Sequence, residues 1–278
     1  INVNEANRMR IKTKTGKYTI LCQKTEEFPE SRNLGEKNFE ISGKFLYPTI
    51  KNTIYACSKD ELKPMLNGVL FEIKQKSITA VSTDGHRLVK FISNQDNVEN
   101  TKILIPQKFL NIISTGTINT KKANLEVHDN YVMIKSDKHK LSTRLINEKF
   151  PDYENVIPEE NPQETVLETE KLTGIVKRVS LMSNKSTKQV VLKLGNNKII
   201  ASAEDHETGG SAIDEIEATH SGNECTIGFN GGLLLEILRH QKTEKIKLLT
   251  NSPLSAMLIK QVDEKETQTT TLLMPIRI

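Results

Sequence analysis

The sequence contains no tryptophan, and aromatic residues account for only 5% of it. Apolar residues of all kinds make up 36%, so the composition fits globular domains whose cores are built from leucine and isoleucine. No stretch approaches the roughly 20 consecutive apolar residues that a membrane-spanning helix requires. We therefore expect a soluble protein, and its 278 residues exceed the usual size of a single domain.

Cysteine is also scarce. Cys22, Cys57 and Cys225 are odd in number, widely spaced and in no Cys-x-x-Cys arrangement, which argues against a disulfide framework and against a zinc cluster. No charged segment followed by an apolar one opens the chain, so the sequence indicates no signal peptide. These absences favour a reducing cytoplasm. The chain begins with Ile1 rather than methionine, which predicts that the natural N-terminus is missing.

Motifs for catalysis, metal binding and base recognition are missing as well. The sequence has no Gly-x-Ser-x-Gly elbow, no Gly-x-x-x-x-Gly-Lys-Ser phosphate loop and no His-Glu-x-x-His spacing among its six histidines. It also lacks RNP, zinc-finger and helix-turn-helix patterns that would read bases. We expect no metal and no cofactor. Any DNA contact should be to phosphates, independent of sequence and sensitive to salt.

The densest polar cluster is STDGHRLVK at 82–90, where Ser82, Asp84 and His86 suggest a hydrolase. A catalytic triad needs a nucleophile and an orienting acid placed by the fold, whereas adjacent residues on a strand point to opposite faces. The alternative is that His86 lies in a turn or in a surface groove.

What the sequence does contain is a repeat. An apolar signature recurs at Ile41, Ile105, Leu167 and Phe229, at intervals of 64, 62 and 62 residues. A leucine follows each of them after five residues, and the apolar face resumes after eight or nine, which is the spacing of one helix face. Four copies of a unit in which a short strand runs into a helix therefore fill residues 39–278.

Each copy continues with alternating apolar residues, at 68–84, 123–136, 190–203 and 245–260, and this alternation predicts β-hairpins. The fold class is thus α+β, with two units per domain and two helices against one face of a sheet system. RMRIKTKTGKYTIL near the N-terminus predicts the hairpin end of a fifth unit.

Two segments rich in proline and polar residues predict linkers between these units. They are EFPESRNLGEKN at 27–38 and FPDYENVIPEENPQ at 150–163. The repeated units would thus form separate domains on either side of each linker.

The repeated helices carry a set of basic residues: Lys44, Lys51, Lys108, Lys171, Lys177, Arg178, Arg239 and Lys242. Acidic residues cluster elsewhere, at 159–164, 214–217 and 263–266. If the helices face one way, they present a basic surface while loops and outer strands are acidic. The alternative is that these are ordinary solvated helix positions, since the net charge of +4 does not by itself indicate a nucleic-acid binder.

Five segments resemble signatures of one family in the family's order. They are MLNGVLFEI at 65–73, STDGHRLV at 82–89, FPDYENVIP at 150–158, IGFNGGLLLEIL at 227–238 and LLMPIRI at 272–278. The chain therefore resembles the bacterial DNA sliding clamp, the β subunit of the replicative DNA polymerase, over essentially its whole length. The resemblance implies that roughly the first 90 residues of the family are absent, which agrees with the incomplete fifth unit.

The resemblance implies a DNA-clamp fold in a closed dimeric ring, with helices lining the ring interior and antiparallel sheets outside. Residues 1–38 would be the C-terminal part of a first domain, 39–157 the central domain and 158–278 the C-terminal domain. The implied function is that of a noncatalytic processivity factor that encircles double-stranded DNA. Its implied partners are the DNA polymerase III catalytic subunit, the clamp loader, other polymerases and repair proteins.

The resemblance also implies a groove between the central and C-terminal domains that receives short apolar peptides from these partners. The matching positions are Leu66, Thr83, Gly85, His86, Arg87, Leu88, Pro158, Asn230, Ser255, Leu273, Met274, Pro275, Ile276 and Arg277. Aliphatic walls would bury leucine and phenylalanine of the peptide, while Arg87 and His86 would orient its polar positions. From the residues alone, exposed apolar residues beside Arg277 in TLLMPIRI suggest a peptide groove, but a last core strand is the simpler interpretation.

The homodimer interface of the family would bring Tyr18 and Ile20 of one subunit against Leu181 and Met182 of the other.

Two rival functions stay open at this point. A hydrolase using Asp84 and His86 predicts that His86→Ala abolishes turnover, and a nonspecific DNA-binding protein without ring topology predicts equal retention on linear and circular DNA. The basic helix residues given above would face the DNA in the clamp.

Overall fold

The structure of the chain is a computed structural model. It describes residues 1–24, 26, 37, 39–94, 100–116, 123–136, 139–263 and 267–278. The predicted linker at 27–38 lies outside these residues, except for Lys37. The chain divides into two compact units, Ile1–Glu36 and Lys37–Ile278, and each is described by itself.

The first unit is a small antiparallel sheet. Its strands are β1 (Asn2–Val3), β2 (Arg8–Lys12) and β3 (Lys17–Leu21), in the spatial order β1-β2-β3. The β2–β3 hairpin predicted from the sequence is confirmed, with Ile11 opposite Tyr18. Its turn closes through a hydrogen bond from the Thr13 amide to the Gly16 carbonyl.

The second unit combines helices with many strands. In its described part, the helices are α1 (Leu46–Thr53), α2 (Gln107–Ser114), α3 (Thr169–Val179) and α4 (Gly231–Arg239). The strands are β4 (Phe39–Ser42), β5 (Gly68–Lys74), β6 (Ser77–Thr83), β7 (Arg87–Asn94), β8 (Thr101–Pro106), β9 (Asn124–Val127), β10 (Tyr131–Lys135), β11 (Lys140–Arg144), β12 (Gln163–Glu168), β13 (Gln189–Gly195), β14 (Lys198–Asp205), β15 (Gly210–Glu217), β16 (Thr219–Ser221), β17 (Cys225–Asn230), β18 (Lys245–Thr250), β19 (Met257–Gln261) and β20 (Thr267–Leu273).

The fourfold repeat predicted from the sequence is confirmed by this order of elements. Strands β4, β8, β12 and β17 each lead into one of the four helices. The repeated apolar positions are all buried, at most 4% exposed: Ile41, Ile105, Leu167, Phe229, Leu46, Leu110, Leu172 and Leu234. The period survives in the sequence because every copy must bury the same strand residue and the same helix face.

The four predicted hairpins are confirmed as well, as the antiparallel pairs β5–β6, β9–β10, β13–β14 and β18–β19. The turn between β13 and β14 is made by Asn196 and Asn197, whose φ angles are +49° and +56°. Asparagine tolerates this left-handed conformation better than most residues, and two such residues in a row form the turn that suits a two-residue hairpin.

Three antiparallel sheets organise the second unit. Two have four strands each, in the orders β11-β10-β9-β4 and β15-β14-β13-β17. The third has nine strands in the order β16-β12-β18-β19-β20-β7-β6-β5-β8. Its centre is the pairing of β20 with β7, which places Leu272 opposite Leu88. Residues far apart in the chain are thereby joined in one continuous sheet.

The cores follow the helix pairs. One hydrophobic cluster surrounds α1 and α2, a second surrounds α3 and α4, and a third lies on the nine-stranded sheet. The third cluster contains Phe150 and Tyr153 from the segment predicted as a linker. That segment is packed rather than loose, because its two aromatic rings are buried against the sheet. It contains one short 3-10 turn, Glu154–Val156.

No helix in the ranges that the structure describes is both long and apolar enough to cross a membrane.

Candidate functional site

An apolar pocket of about 430 Å³ opens on the nine-stranded sheet, between the β6–β7 turn, the segment after residue 150 and the end of β20. It is lined by Leu66, Thr83, Gly85, Arg87, Leu88, Pro151, Asp152, Tyr153, Val156, Pro158, Ala256, Leu272 and Met274. Seven of the fourteen groove positions proposed from the sequence are among these residues: Leu66, Thr83, Gly85, Arg87, Leu88, Pro158 and Met274.

One wall of the pocket is the turn between β6 and β7. The Asp84 carboxylate accepts hydrogen bonds from the amides of His86 and Arg87, at 2.9 and 3.0 Å. The Thr83 hydroxyl donates to the Arg87 carbonyl at 2.6 Å and accepts from the Gly85 amide. Gly85 has a φ of +91°, a conformation that favours glycine. The polar residues of this segment thus build a turn, and His86 is exposed beside the pocket rather than in its lining.

The Arg87 side chain is committed to protein groups on several sides. Its Nε lies 3.2 Å from Asp84 Oδ2, and its Nη1 lies 2.9 Å from Oε2 of Glu236 on α4. Its Nη2 donates to the Tyr55 carbonyl at 2.7 Å, and the guanidinium lies over the Tyr55 ring. Sequence reasoning assigned this side chain to the polar positions of a peptide. Its Nε and Nη2 donate hydrogen bonds to protein oxygens, whereas Nη1 is buried and has Glu236 as an ionic partner without a hydrogen bond.

Tyr55 and His240 extend this junction, since their rings stack with centroids 3.8 Å apart. Burial raises the pKa of Tyr55 to about 12, so its hydroxyl is protonated at neutral pH. The 3-10 turn after α1 (Ile54–Ala56) and the C-terminal end of α4 therefore meet next to Arg87.

A second wall comes from β20, from Met274 after it, and from Ala256 just before β19. Leu272 and Met274 line the pocket, and the Met274 amide donates to the His86 carbonyl at 2.9 Å. Leu273 lies instead in the core around α3 and α4, because consecutive residues on a strand point to opposite faces. The C-terminal TLLMPIRI is therefore both a core strand and a pocket wall.

The remaining predicted groove residues lie beside the pocket. Asn230 caps α4, its side chain accepting from the amides of Gly232 and Leu233. Ser255 bonds to Ser252 in the loop before β19. Pro275, Ile276 and Arg277 follow Met274 and run beside β17. The Ile276 amide donates a hydrogen bond to the Gly228 carbonyl, and the Arg277 carbonyl accepts one from the side-chain amide of Gln189.

Sequence reasoning missed six lining residues: Pro151, Asp152, Tyr153, Val156, Ala256 and Leu272. The first four belong to the segment that was interpreted as a linker. A signal was available, since Phe150 and Tyr153 are aromatic residues in an otherwise polar stretch of a sequence with few aromatics. Large buried rings are more typical of a packed segment than of a linker.

A buried carboxylate anchors this segment to the sheet. The Tyr153 hydroxyl donates to Glu72 Oε2 at 2.8 Å, and Lys102 Nζ lies 2.5 Å from Glu72 Oε1. Burial by itself raises the pKa of Glu72, but hydrogen bonds from Lys102 and Tyr153 outweigh it and hold the pKa below its ordinary value of 4.5. Burial and the neighbouring Glu72 raise the pKa of Tyr153, so the hydroxyl stays a donor.

We expect the free energy of unfolding to depend less on pH in the acid range when Glu72 is replaced by glutamine (Glu72→Gln). Because the pKa of Glu72 is lower in the folded chain than in the unfolded one, its contribution is complete above about pH 4.5 and is lost as the pH falls through the folded-state value. The free energy of unfolding, measured by urea titration between about pH 3 and pH 7, should fall less steeply below pH 4.5 in the variant. Identical slopes would contradict the role of this carboxylate.

The basic residues predicted to face DNA are all exposed, on or beside the four helices: Lys44, Lys51, Lys108, Lys171, Lys177, Arg178, Arg239 and Lys242. The expected separation from acidic strands does not hold at α3, where Arg178 pairs with Asp214 of β15 at 2.7 Å. Burial and the nearby Lys51 lower the pKa of Lys242. The end of α1 and the segment after α4 thus contribute positive charge to the same area.

The four residues predicted at a subunit interface are exposed apolar side chains. Tyr18 and Ile20 lie on β3 of the first unit, and Leu181 and Met182 lie in the 3-10 turn after α3 of the second. Among the residues described by the structure, no group of three or more histidine, cysteine or acidic side chains could hold a metal ion.

Comparison with known proteins identifies the family. Residues 40–152 match the family model of the DNA polymerase III beta subunit, central domain, and residues 154–277 match that of its C-terminal domain. The Beta sliding clamp of Haemophilus influenzae is 27% identical over 279 residues, which cover 99% of this chain and 75% of the relative. That of Halalkalibacterium halodurans is 28% identical over 287 residues, covering 100% and 74%.

Solved structures agree in fold. The DNA polymerase III beta subunit of Thermotoga maritima superposes with a TM-score of 0.86 at 25% identity, covering 99% of this chain and 75% of that one. The DNA polymerase sliding clamp of Bacillus subtilis gives a TM-score of 0.88 at 21% identity, covering 100% and 74%. A clamp from Pseudomonas aeruginosa bound to griselimycin gives 0.85 at 23% identity, covering 99% and 75%.

The repeated strand-helix units and their sheets are therefore the fold of a sliding clamp. The chain belongs to the family of DNA polymerase III beta subunits. Its function is that of the family, a processivity factor in DNA replication.

Proposed function

We propose that the chain carries out this function as a noncatalytic clamp that recruits replication proteins through the apolar pocket. The observation that carries the proposal is the pocket itself, where leucine, alanine, proline and methionine side chains from distant parts of the chain converge. An apolar cavity of this size suits the leucine and phenylalanine side chains of a short peptide, which gain free energy by leaving water. The proposed partners are the catalytic subunit of DNA polymerase III, the clamp loader, other polymerases and repair proteins.

The noncatalytic role is supported by what the STDGH segment does. Asp84 is engaged by two backbone amides and by Arg87, and these contacts make it a structural residue of a turn. A hydrolase would require Asp84 to orient His86 through its side chain, whereas the contact between these residues runs through the His86 backbone.

For DNA, we propose sequence-independent contacts between phosphates and the basic residues on the helices. The exposure of all eight basic residues on or beside the helices supports this, because exposed cations are free to approach phosphates. Weak contacts of this kind would suit a protein that encircles the duplex and slides. A polymerase held by the same protein gains effective concentration at the primer end without new DNA contacts.

We propose the family's homodimer and domain division for this chain. Residues 1–38 would belong to a first domain, 39–157 would be the central domain and 158–278 the C-terminal domain. Tyr18 and Ile20 would pack against the partner subunit's Leu181 and the partner subunit's Met182, and the exposure of these apolar side chains supports the pairing. As a bacterial replication protein, it would act in the cytoplasm.

The test is a titration of the chain against a fluorescently labelled peptide from a replicative polymerase that contains a leucine and a phenylalanine anchor. We expect saturable binding by fluorescence anisotropy, competed by the unlabelled peptide. A peptide with both anchors replaced by serine should not compete, because it offers little apolar surface to bury. Equal competition by both peptides would contradict the proposal.

A further inference from the structure

Arg87 is both a lining residue of the pocket and the contact partner of a residue on α4. Arg87 is only 5% exposed, and its Nη1 lies 2.9 Å from Oε2 of Glu236. Glu236 does not belong to the pocket lining, and its side chain is 43% exposed. The contact joins the β6–β7 turn, which forms one wall, to a helix whose core lies behind the other wall.

We propose that Glu236 is a positioning residue of the peptide groove, which holds the Arg87 guanidinium away from the apolar pocket. The proposal rests on the proposed function, because it assumes that the pocket binds an apolar peptide. It assigns to Glu236 a role in affinity without any contact to the peptide.

The charges around Arg87 explain why Glu236 matters. The guanidinium faces two carboxylates, Asp84 on its own turn and Glu236 on α4, and the Tyr55 carbonyl. Asp84 already accepts two amide hydrogen bonds that shape the turn. Without the Glu236 charge, Nη1 would lose its ionic partner in a buried setting, and the solvent-filled pocket that Arg87 lines becomes the alternative place for it. A guanidinium turned into the pocket disfavours an apolar peptide.

Other contacts across the junction keep the fold together when Glu236 is changed. The β7–β20 ladder runs from Thr267 to Leu273, and the Met274 amide is bonded to the His86 carbonyl. The stacked rings of Tyr55 and His240 add a further contact. Loss of the Glu236 ion pair should therefore leave the unfolding temperature nearly unchanged while the Arg87 guanidinium is released from α4.

The experiment compares the wild-type chain with Glu236→Gln, which removes the charge and keeps the size of the side chain. The matched control is Glu215→Gln on β15, which removes an ion pair of 2.8 Å with Lys198 on β14. The probe is a labelled peptide with leucine and phenylalanine anchors and no charged residue. We expect the Kd to rise by a factor of about five in Glu236→Gln and to stay unchanged in the control.

Salt provides a readout that general destabilisation would not move. Raising sodium chloride from about 0.05 to 0.5 M screens the half-exposed pair, so wild-type affinity should fall toward that of the variant. The peptide affinity of Glu236→Gln should not fall as salt is raised, because the peptide is neutral and this variant has no ion pair between residue 236 and Arg87. Glu236→Asp, which keeps the charge, should recover part of the affinity.

Equal peptide affinity of the wild-type chain and Glu236→Gln would overturn the inference and leave the proposed function intact. If Glu236→Gln lowered the unfolding temperature sharply, Glu236→Asp would decide. Higher peptide affinity in Glu236→Asp than in Glu236→Gln would support the positioning role, and equal affinity in the two variants would overturn it. If the wild-type chain bound no peptide, the proposed function would fail, and this inference would fail with it.

Discussion

Met274→Asp should weaken peptide binding by a factor of about 100. Met274 lines the pocket at the end of β20 and is 42% exposed, so the substitution places a charge on the apolar wall without burying it in the core. A peptide that covers this position must remove water from the carboxylate with no cation to compensate, since the nearby Arg87 is already engaged. Fluorescence anisotropy with the labelled anchor peptide measures the loss.

Ile213→Asp is the control for this substitution. Ile213 is an apolar residue on β15 that is 77% exposed and lies outside the pocket lining. The same gain of negative charge at this position should leave the peptide Kd within a factor of about two. If both variants lost affinity equally, overall charge rather than the pocket would govern binding. If Met274→Asp retained wild-type affinity, the pocket would not be the binding site.

Phe229→Ala should lower the free energy of unfolding by about 3 to 5 kcal/mol. Phe229 is fully buried in the cluster around α3 and α4, where β17 leads into α4. It holds the repeat position that Ile41, Ile105 and Leu167 occupy in the other units. Truncation removes the ring and leaves a cavity, and the surrounding strands and helices can close around it only in part.

Urea denaturation followed by circular dichroism measures this loss, with Leu62→Ala as the control. Leu62 is 90% exposed in a turn, so its truncation should change stability by less than about 0.5 kcal/mol. Phe229→Leu should fall between the two, because it keeps most of the apolar volume. A loss below about 1 kcal/mol in Phe229→Ala would mean that the repeat position is not a core position.

The repeat, the helices and the hairpins could be predicted because they depend on local spacing. A buried strand residue such as Phe229 and a helix residue such as Leu234 are five positions apart, and the same spacing recurs in every copy. The pairing of β20 with β7 could not be derived from such spacing. It joins strands far apart in the chain, and the alternation in each strand is satisfied by many possible neighbours.

The pocket was predictable only in part for a related reason. Family resemblance marked Leu66, Leu88 and Met274, whose side chains do line it. It did not reveal that Leu273 points into the core, which follows once the register of β20 is known. The ion pair of Arg87 with Glu236 was also hidden, because Glu236 belongs to a distant helix and an isolated arginine in a sequence gives no sign of its partner.

A crystal structure of the chain with the anchor peptide tests the central claim most directly. The account predicts that the leucine and phenylalanine side chains of the peptide lie in the pocket, in contact with Leu88, Leu272 and Met274. Arg87 should keep its contacts with Asp84 and Glu236 in the complex. A peptide bound at another surface, or an empty pocket in crystals grown with the peptide at saturation, would contradict the account.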